Sequence, residues 1–478
     1  MPESPKHTVQ SCNQVPMELI DLIIGHLRDD SQSFVTDLKA CSLVARSWVP
    51  VCRAYLFKEV HIVSSAIEPH SMDRYKQLAA LIKQNQTIAK FIRSIQFITI
   101  LTVGDVDIAS VESLDNHFPV ISQTSEVRSL DITIEGGRKR YQTGTAYFGW
   151  CYLLDWYLST KQLTTISLTG IDEVPILSIL LAPQLTTLNI TGCYLASTVE
   201  ESSLDLRSQH SSFALENLKA HFITGFSSSL LGLCTRLRVM DLYSVAFTGS
   251  NNTNELALPA FPRLASLEVG SIDGWDLSEG THCVADGHTV FPAVTSFKVL
   301  CPLESKFPRF RTLQSLSLIY DGSDYAFDWS ELSQLVNDSL PHLTHLQLAI
   351  HAEEDAEPIL ESIQKVLSPH NGVNVIRSFE LELHESLGDV EDWWDTSENA
   401  WTQLGNTLSS ASDFPCLRKA SISLEIGCAN GDESDESLMS EVLKGKGCSD
   451  FRSVLSGPLE ALIAREEVEV HYEVDITF

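Results

Sequence analysis

One phrase recurs along this chain and limits what it can fold into. It is an apolar residue, two residues of any kind, an apolar residue, one more, and a final apolar residue. It appears as Ile92-x-x-Ile95-x-Phe97, Val127-x-x-Leu130-x-Ile132, Leu163-x-x-Ile166-x-Leu168 and Leu185-x-x-Leu188-x-Ile190. A shortened copy, Leu215-x-x-Leu218, leads to Leu237-x-x-Met240-x-Leu242, Leu264-x-x-Leu267-x-Val269 and Val294-x-x-Phe297-x-Val299. Leu313-x-x-Leu316-x-Leu318, Leu343-x-x-Leu346-x-Leu348, Ile376-x-x-Phe379-x-Leu381 and Leu417-x-x-Ala420-x-Ile422 complete the series. Two apolar residues spaced by two lie on one side of an extended strand, and the residue between them lies on the other. The first apolar residue enters the same core from the preceding turn. One such strand cannot cover its own apolar side, whereas a stack of them can. The phrase therefore predicts short strands stacked over one shared core.

The copies begin 19 to 41 residues apart. The shorter spacings and the phrase resemble leucine-rich repeats, and Cys193 after Leu185-x-x-Leu188-x-Ile190 completes that family's polar-or-cysteine position. Copies without Asn or Cys there make the resemblance one to an irregular, degenerate solenoid over residues 85–478, which implies an α/β fold: a curved parallel sheet with helices and loops on its convex side. In such an array the residue between the two core positions faces the concave side. That places Asp131, Ser167, Asn189, Asp241, Glu268, Lys298, Ser317, Gln347 and Glu380 on the surface open to a partner. Between strands, helical spacing is expected over 71–90 and 356–367. Trp394, Trp401, Leu404 and Leu408 share a further helical stripe that reads as core packing. Glu469 to Phe478 alternates, with Val470, Tyr472, Val474, Ile476 and Phe478 on one side, as a capping strand would.

The N-terminal segment has a different period. After Val15-Pro16, residues Leu19, Ile20, Ile23, Ile24 and Leu27 form a wide apolar helical face, with Pro16 tolerated in the first turn. Thr36 is an expected N-cap for a second helix carrying Leu38, Cys41, Ala45, Trp48 and Cys52, kinked or broken by Pro50. Two or three helices in so short a stretch cannot bury all of this surface alone. The blocks Val15-Pro16-x-Glu18-Leu19-Ile20-x-x-Ile23-Ile24-x-x-Leu27 and Leu38-x-x-Cys41-Ser42-Leu43-Val44-x-x-Ser47-Trp48 resemble the F-box, in the form common among fungal F-box proteins. Val15 stands where that family usually has Leu. The resemblance implies a three-helix F-box over 14–60, a helical linker over 61–84 and the repeat array from 85. It also implies docking to a Skp-family adaptor and, through it, to a cullin scaffold. Carried over by position, Val15, Pro16, Leu19, Ile20, Ile23, Leu27, Leu38, Leu43, Val44 and Trp48 would form or support the adaptor-binding face.

The remaining observations narrow the class. The chain carries 33 Lys+Arg against 63 Asp+Glu, a net charge of −30, which opposes nucleic-acid and anionic-membrane binding. Residues 351–478 hold 27 acidic and 8 basic side chains, whereas residues 1–60 hold 7 and 6. A basic partner surface would suit that far end. The polar N-terminus and the lack of a long apolar stretch argue against a secretory signal and a membrane span. Eleven scattered cysteines without a C-x-x-C pair, four sequons notwithstanding, suit a reduced cytoplasmic or nuclear protein. No nucleotide loop, nucleophile elbow or zincin motif is present. Neither His282-Cys283 with His288 nor His342-x-x-His345 has a four-ligand spacing, so no metal or cofactor is expected. The run Asp432-Glu433-Ser434-Asp435-Glu436 reads as a solvated loop. The expectation is thus a non-catalytic adaptor: the box joins a ubiquitin ligase and the array holds an unknown protein substrate. The alternatives are a ligase-independent F-box-like scaffold or interaction module, and a hydrolase or transferase hidden in the insertions.

Overall fold

The computed structural model describes residues 15–30, 34–65, 73–100, 118–141, 149–196, 213–248, 261–270, 272–273, 291–300, 307–308, 310–321, 327–352, 356–368, 374–387, 393–428 and 454–477. The expected loop 432–436, the His282/Cys283/His288 group and Phe478 lie outside them, as does the side chain of Trp394. The chain is mixed α/β and divides into two compact units between Asn189 and Ile190.

The first unit opens with three helices, α1 (Met17–Asp30), α2 (Phe34–Val44) and α3 (Val49–Leu56). Helix α2 begins ahead of the expected cap at Thr36. Pro50 does not kink a continuing helix but stands in the first turn of a new one, where its missing N–H has no intrahelical partner to lose. Parallel strands follow: β1 (Glu59–Ser65), then helix α4 (Asp73–Gln84), β2 (Ser94–Ile100), β3 (Ser129–Glu135), α5 (Gly149–Thr160), β4 (Thr165–Thr169) and β5 (Thr187–Thr191). The expected boundary at residue 60 falls inside β1. Val60 lies opposite Ile95 and Ile62 opposite Phe97, so Phe57-x-x-Val60-x-Ile62 is one more copy of the repeated phrase.

The second unit continues with β6 (Asn217–Ser227), β7 (Val239–Thr248), β8 (Ser266–Val269), β9 (Ser296–Leu300) and β10 (Ser315–Asp321). Helix α6 (Trp329–Ser339) precedes β11 (His345–Ala352), α7 (Ala356–Leu367) precedes β12 (Ser378–Leu387), and α8 (Trp393–Ser409) precedes β13 (Lys419–Cys428). Strand β14 (Glu469–Thr477) pairs with β13. Every pairing from β6 to β14 is parallel.

The three apolar positions explain the stack. In each copy from Ile92 to Leu417 the first position is at most 1% exposed, and so is the second. Each strand from β2 to β13 starts one residue before the second apolar position. Immediately before most strands, one carbonyl accepts two N–H groups from the next copy. Arg93 O takes Arg128 N and Ser129 N at 2.8 and 3.0 Å, and Thr344 O takes Arg377 N and Ser378 N at the same distances. Between strands, the helices add Leu332, Leu360, Ile363, Trp401, Leu404 and Leu408 to the core, each 0% exposed. The stripe of α8 thus packs inward wherever it is described.

A backbone kink accompanies the pattern. The fifth residue after the first of β4, β5, β6 and β7 has a positive φ: Gly170 (71°), Gly192 (61°), Phe222 (55°) and Ser244 (50°). Glycine meets this geometry without a Cβ clash, whereas Phe and Ser carry a cost of order 1–3 kcal/mol. At Gly170 a Cβ would also sit 2.5 Å from Ile134 O. Gly170→Ala is expected to lower stability by about 1–3 kcal/mol. Gly457→Ala, where a Cβ would meet nothing within 4 Å, should move it little. Thermal unfolding followed by circular dichroism compares the two.

Candidate functional site

Helix α1 is apolar on two adjacent stripes, and only one faces its own unit. Residues four apart share a helix face. Ile20 and Ile24 are fully buried and form a small core with Leu38, Val51 and Cys52. Phe34, Cys41, Trp48, Tyr55 and Leu56 pack against it, with the Phe34 and Tyr55 rings edge-on at 6.4 Å. The second stripe, about 100° round the helix, carries Leu19, Leu22 and Ile23, all exposed. Val15, Pro16 and Met17 at the start of α1, and Val35, Leu43 and Val44 on α2, are exposed as well. Leu19 is 51% exposed, Val44 69% and Leu43 86%. Among the described residues, eight of the fifteen exposed large apolar side chains fall between positions 15 and 44. Concentrations of exposed apolar side chains are a common feature of interaction surfaces.

The ten positions named from sequence therefore divide. Val15, Pro16, Leu19, Ile23, Leu43 and Val44 present apolar surface to solvent. Ile20 and Leu38 are fully buried in the small core, so within that set they support the exposed surface rather than form it. Leu27 and Trp48 are half-buried, and Trp48 packs against the small core. Leu22, exposed beside Leu19, was not singled out by the motif, yet the period of the helix puts it there; Met17 is exposed at the start of the helix on another side.

Between α1 and α3, within the first unit, lies an open groove of about 670 Å³ lined by Asp21, Leu22, Gly25, His26, Ala54, Tyr55, Lys58, Phe91 and Arg93. Among the described residues its lining contains no Ser, Thr or Cys. Elsewhere the thiol of Cys234 is pushed up to about 12 by burial, so it stays protonated at neutral pH. Among the described residues no group of three His, Cys, Asp or Glu side chains could hold a metal ion, and no helix is long and apolar enough to cross a membrane. His345 Nδ1 lies 2.8 Å from Thr344 Oγ1.

The nine in-between residues all lie half-buried on the face of the sheet opposite its core, and most are held by cross-strand partners. In the first unit Gln96 Nε2 donates to Asp131 Oδ2 at 3.2 Å, and Ser167 stands in register beside Asp131. In the second, Lys298 Nζ is 2.8 Å from Glu268, Ser317 Oγ donates to Gln347 at 2.9 Å, and Lys419 Nζ is 3.5 Å from Glu380. Asp241 receives both Lys219 Nζ at 3.6 Å and His221 Nε2 at 2.8 Å. One residue per strand understates this face, because the strands are longer than the phrase. The structure adds His221, Phe222 and Tyr243, and a stacked pair, His351 and His384, with centroids 4.2 Å apart and His384 Nδ1 2.6 Å from Glu425.

No family model matches the chain, and no characterised protein matches it in sequence.

The division of the helical unit has a direct check. Ile20→Ala should cost about 2–5 kcal/mol through the cavity it leaves. Leu43→Ala, 86% exposed, should stay within about 0.5 kcal/mol of the parent in chemical denaturation.

Proposed function

We propose that this protein is a non-catalytic adaptor of the F-box type, whose N-terminal helices dock onto a Skp-family adaptor while its repeat array holds a protein substrate. The observation that carries the reading is the uncovered apolar stripe of Leu19, Leu22 and Ile23, together with the exposed Val15, Leu43 and Val44, in a segment whose sequence resembles the F-box. An amphipathic helix with a solvent-facing apolar stripe is the usual means of engaging a partner helix or groove. Catalysis under this reading is proximity: the array holds a substrate's lysines near a conjugating enzyme brought by the cullin scaffold. The chain would then work in the cytosol or nucleus, where that machinery resides.

The array supports the second half of the reading. Its sheet leaves one face open over many strands and furnishes it with paired polar groups, a surface suited to recognising a folded or extended protein.

Purified full-length protein should form a stoichiometric complex with a purified Skp-family adaptor at micromolar concentration. Leu19→Glu with Ile23→Glu should weaken that complex about 100-fold or more, because two charges would be buried without partners. The native circular-dichroism spectrum should remain, since both positions are exposed. Full binding by the double variant, or no complex with the parent protein, would refute the assignment.

A further inference from the structure

We propose that the open face around Phe222 is the anchoring point for a basic, extended segment of the partner held by the array, an inference that rests on the reading of the array as a protein-binding surface. Phe222 occupies the positive-φ position that glycine fills in the two preceding copies, at Gly170 and Gly192. The fold gains nothing evident from a phenyl ring there, because the side chain is 52% exposed. A residue that strains the backbone and leaves an aromatic ring in water marks a functional position rather than a structural one.

The surroundings are those of a binding hot spot. The Phe222 ring meets Tyr243 edge-on at 5.1 Å, and the His221 ring lies 5.8 Å from that of Tyr243. Tyr243 can lie in this position only because residue 270 is glycine: a Cβ there would sit 2.2 Å from the tyrosine Cδ2. Tyr194, 41% exposed, stands in register with Thr224 and extends the aromatic surface. Asp241, held by His221 and Lys219, supplies a polar rim. Exposed rigid aromatics ringed by polar groups are the usual composition of an interface centre.

Charge selects the occupant. On this face Lys219, Lys298 and Lys419 each lie against a carboxylate of the neighbouring strand, Asp241, Glu268 and Glu380. Toward β14 the face also carries Glu382, Glu425, Glu473 and Asp475, none with a lysine or arginine partner among the described residues. A complementary segment brings lysine or arginine to that end and an apolar or aromatic residue to the Phe222 end. Strands lie about 4.8 Å apart, so the six steps from β6 to β12 span roughly 29 Å. An extended chain covers that distance in about nine residues.

The test is selection of displayed random dodecapeptides on the intact protein, followed by anisotropy titration of the enriched peptides. The expected peptides carry net positive charge with an aromatic or aliphatic residue toward one end, and they bind more weakly as salt is raised. Phe222→Gly should weaken them about tenfold or more. The same substitution relieves the backbone and should raise the thermal midpoint, so lost binding cannot be mistaken for lost structure. It should leave the complex with the Skp-family adaptor unchanged. Failure to enrich any peptide, enrichment of neutral or acidic peptides, or equal binding by Phe222→Gly overturns the proposal. Loss of adaptor binding by the parent protein would instead count against the adaptor assignment alone.

Discussion

The structure depends on lateral parallel pairing that each copy cannot complete by itself. A short strand with two core-facing apolar side chains, and a third from the turn before it, exposes both a row of backbone groups and an apolar side. The next copy covers both at once. Its N–H groups reach the waiting carbonyl at the strand start, and its apolar triplet continues the core. The pairing fixes register wherever it is described: Leu316 lies beside Phe297 on one side and Leu346 on the other, and Leu318 lies between Val299 and Leu348. A slip of one residue would turn every core side chain outward, so the burial pattern and the register enforce each other. Insertions between copies are tolerated because they lie outside this repeating contact, which is why intervals can range from 19 to 41 residues without breaking the sheet.

That constraint also makes one face available. Because core and helices occupy one side, the in-between residues have only each other to pair with. The face is accordingly furnished with cross-strand pairs such as Lys298–Glu268 and Ser317–Gln347. Such exposed pairs contribute little to stability, typically below about 1 kcal/mol. They hold side chains in place and set the electrostatic pattern a partner would meet. The helical unit behaves differently. Its core of five residues is small, and apolar stripes that a larger fold would cover remain in solvent.

Much of this was legible in the sequence, and the gaps have physical causes. The three-residue phrase marked every strand from β2 to β13 because the apolar spacing directly encodes which side of a strand is buried. The copy at Phe57-x-x-Val60-x-Ile62 was hidden, since it abuts α3 and its residues also satisfy a helical period. In α1, periodicity revealed an apolar helix but not which stripe faces inward, because Leu19 and Ile23 are as apolar as Ile20 and Ile24. Ile20 and Leu38 were therefore named alongside exposed residues, although they lie in the core. The kink after the fifth strand residue was signalled by Gly170 and Gly192, but nothing in the local sequence announces that Phe222 and Ser244 adopt it too. That aromatic site came into view only when neighbouring strands were set in register.

The central claim is that the apolar stripe on α1 and α2 is a docking surface for a separate protein. Hydrogen–deuterium exchange of the full-length chain, with and without a purified Skp-family adaptor, tests it at peptide resolution. The account predicts slowed exchange in peptides spanning 15–27 and 34–48, with the strands from β6 onward unchanged. No protection in those peptides at saturating adaptor, or protection confined to the array, would contradict it.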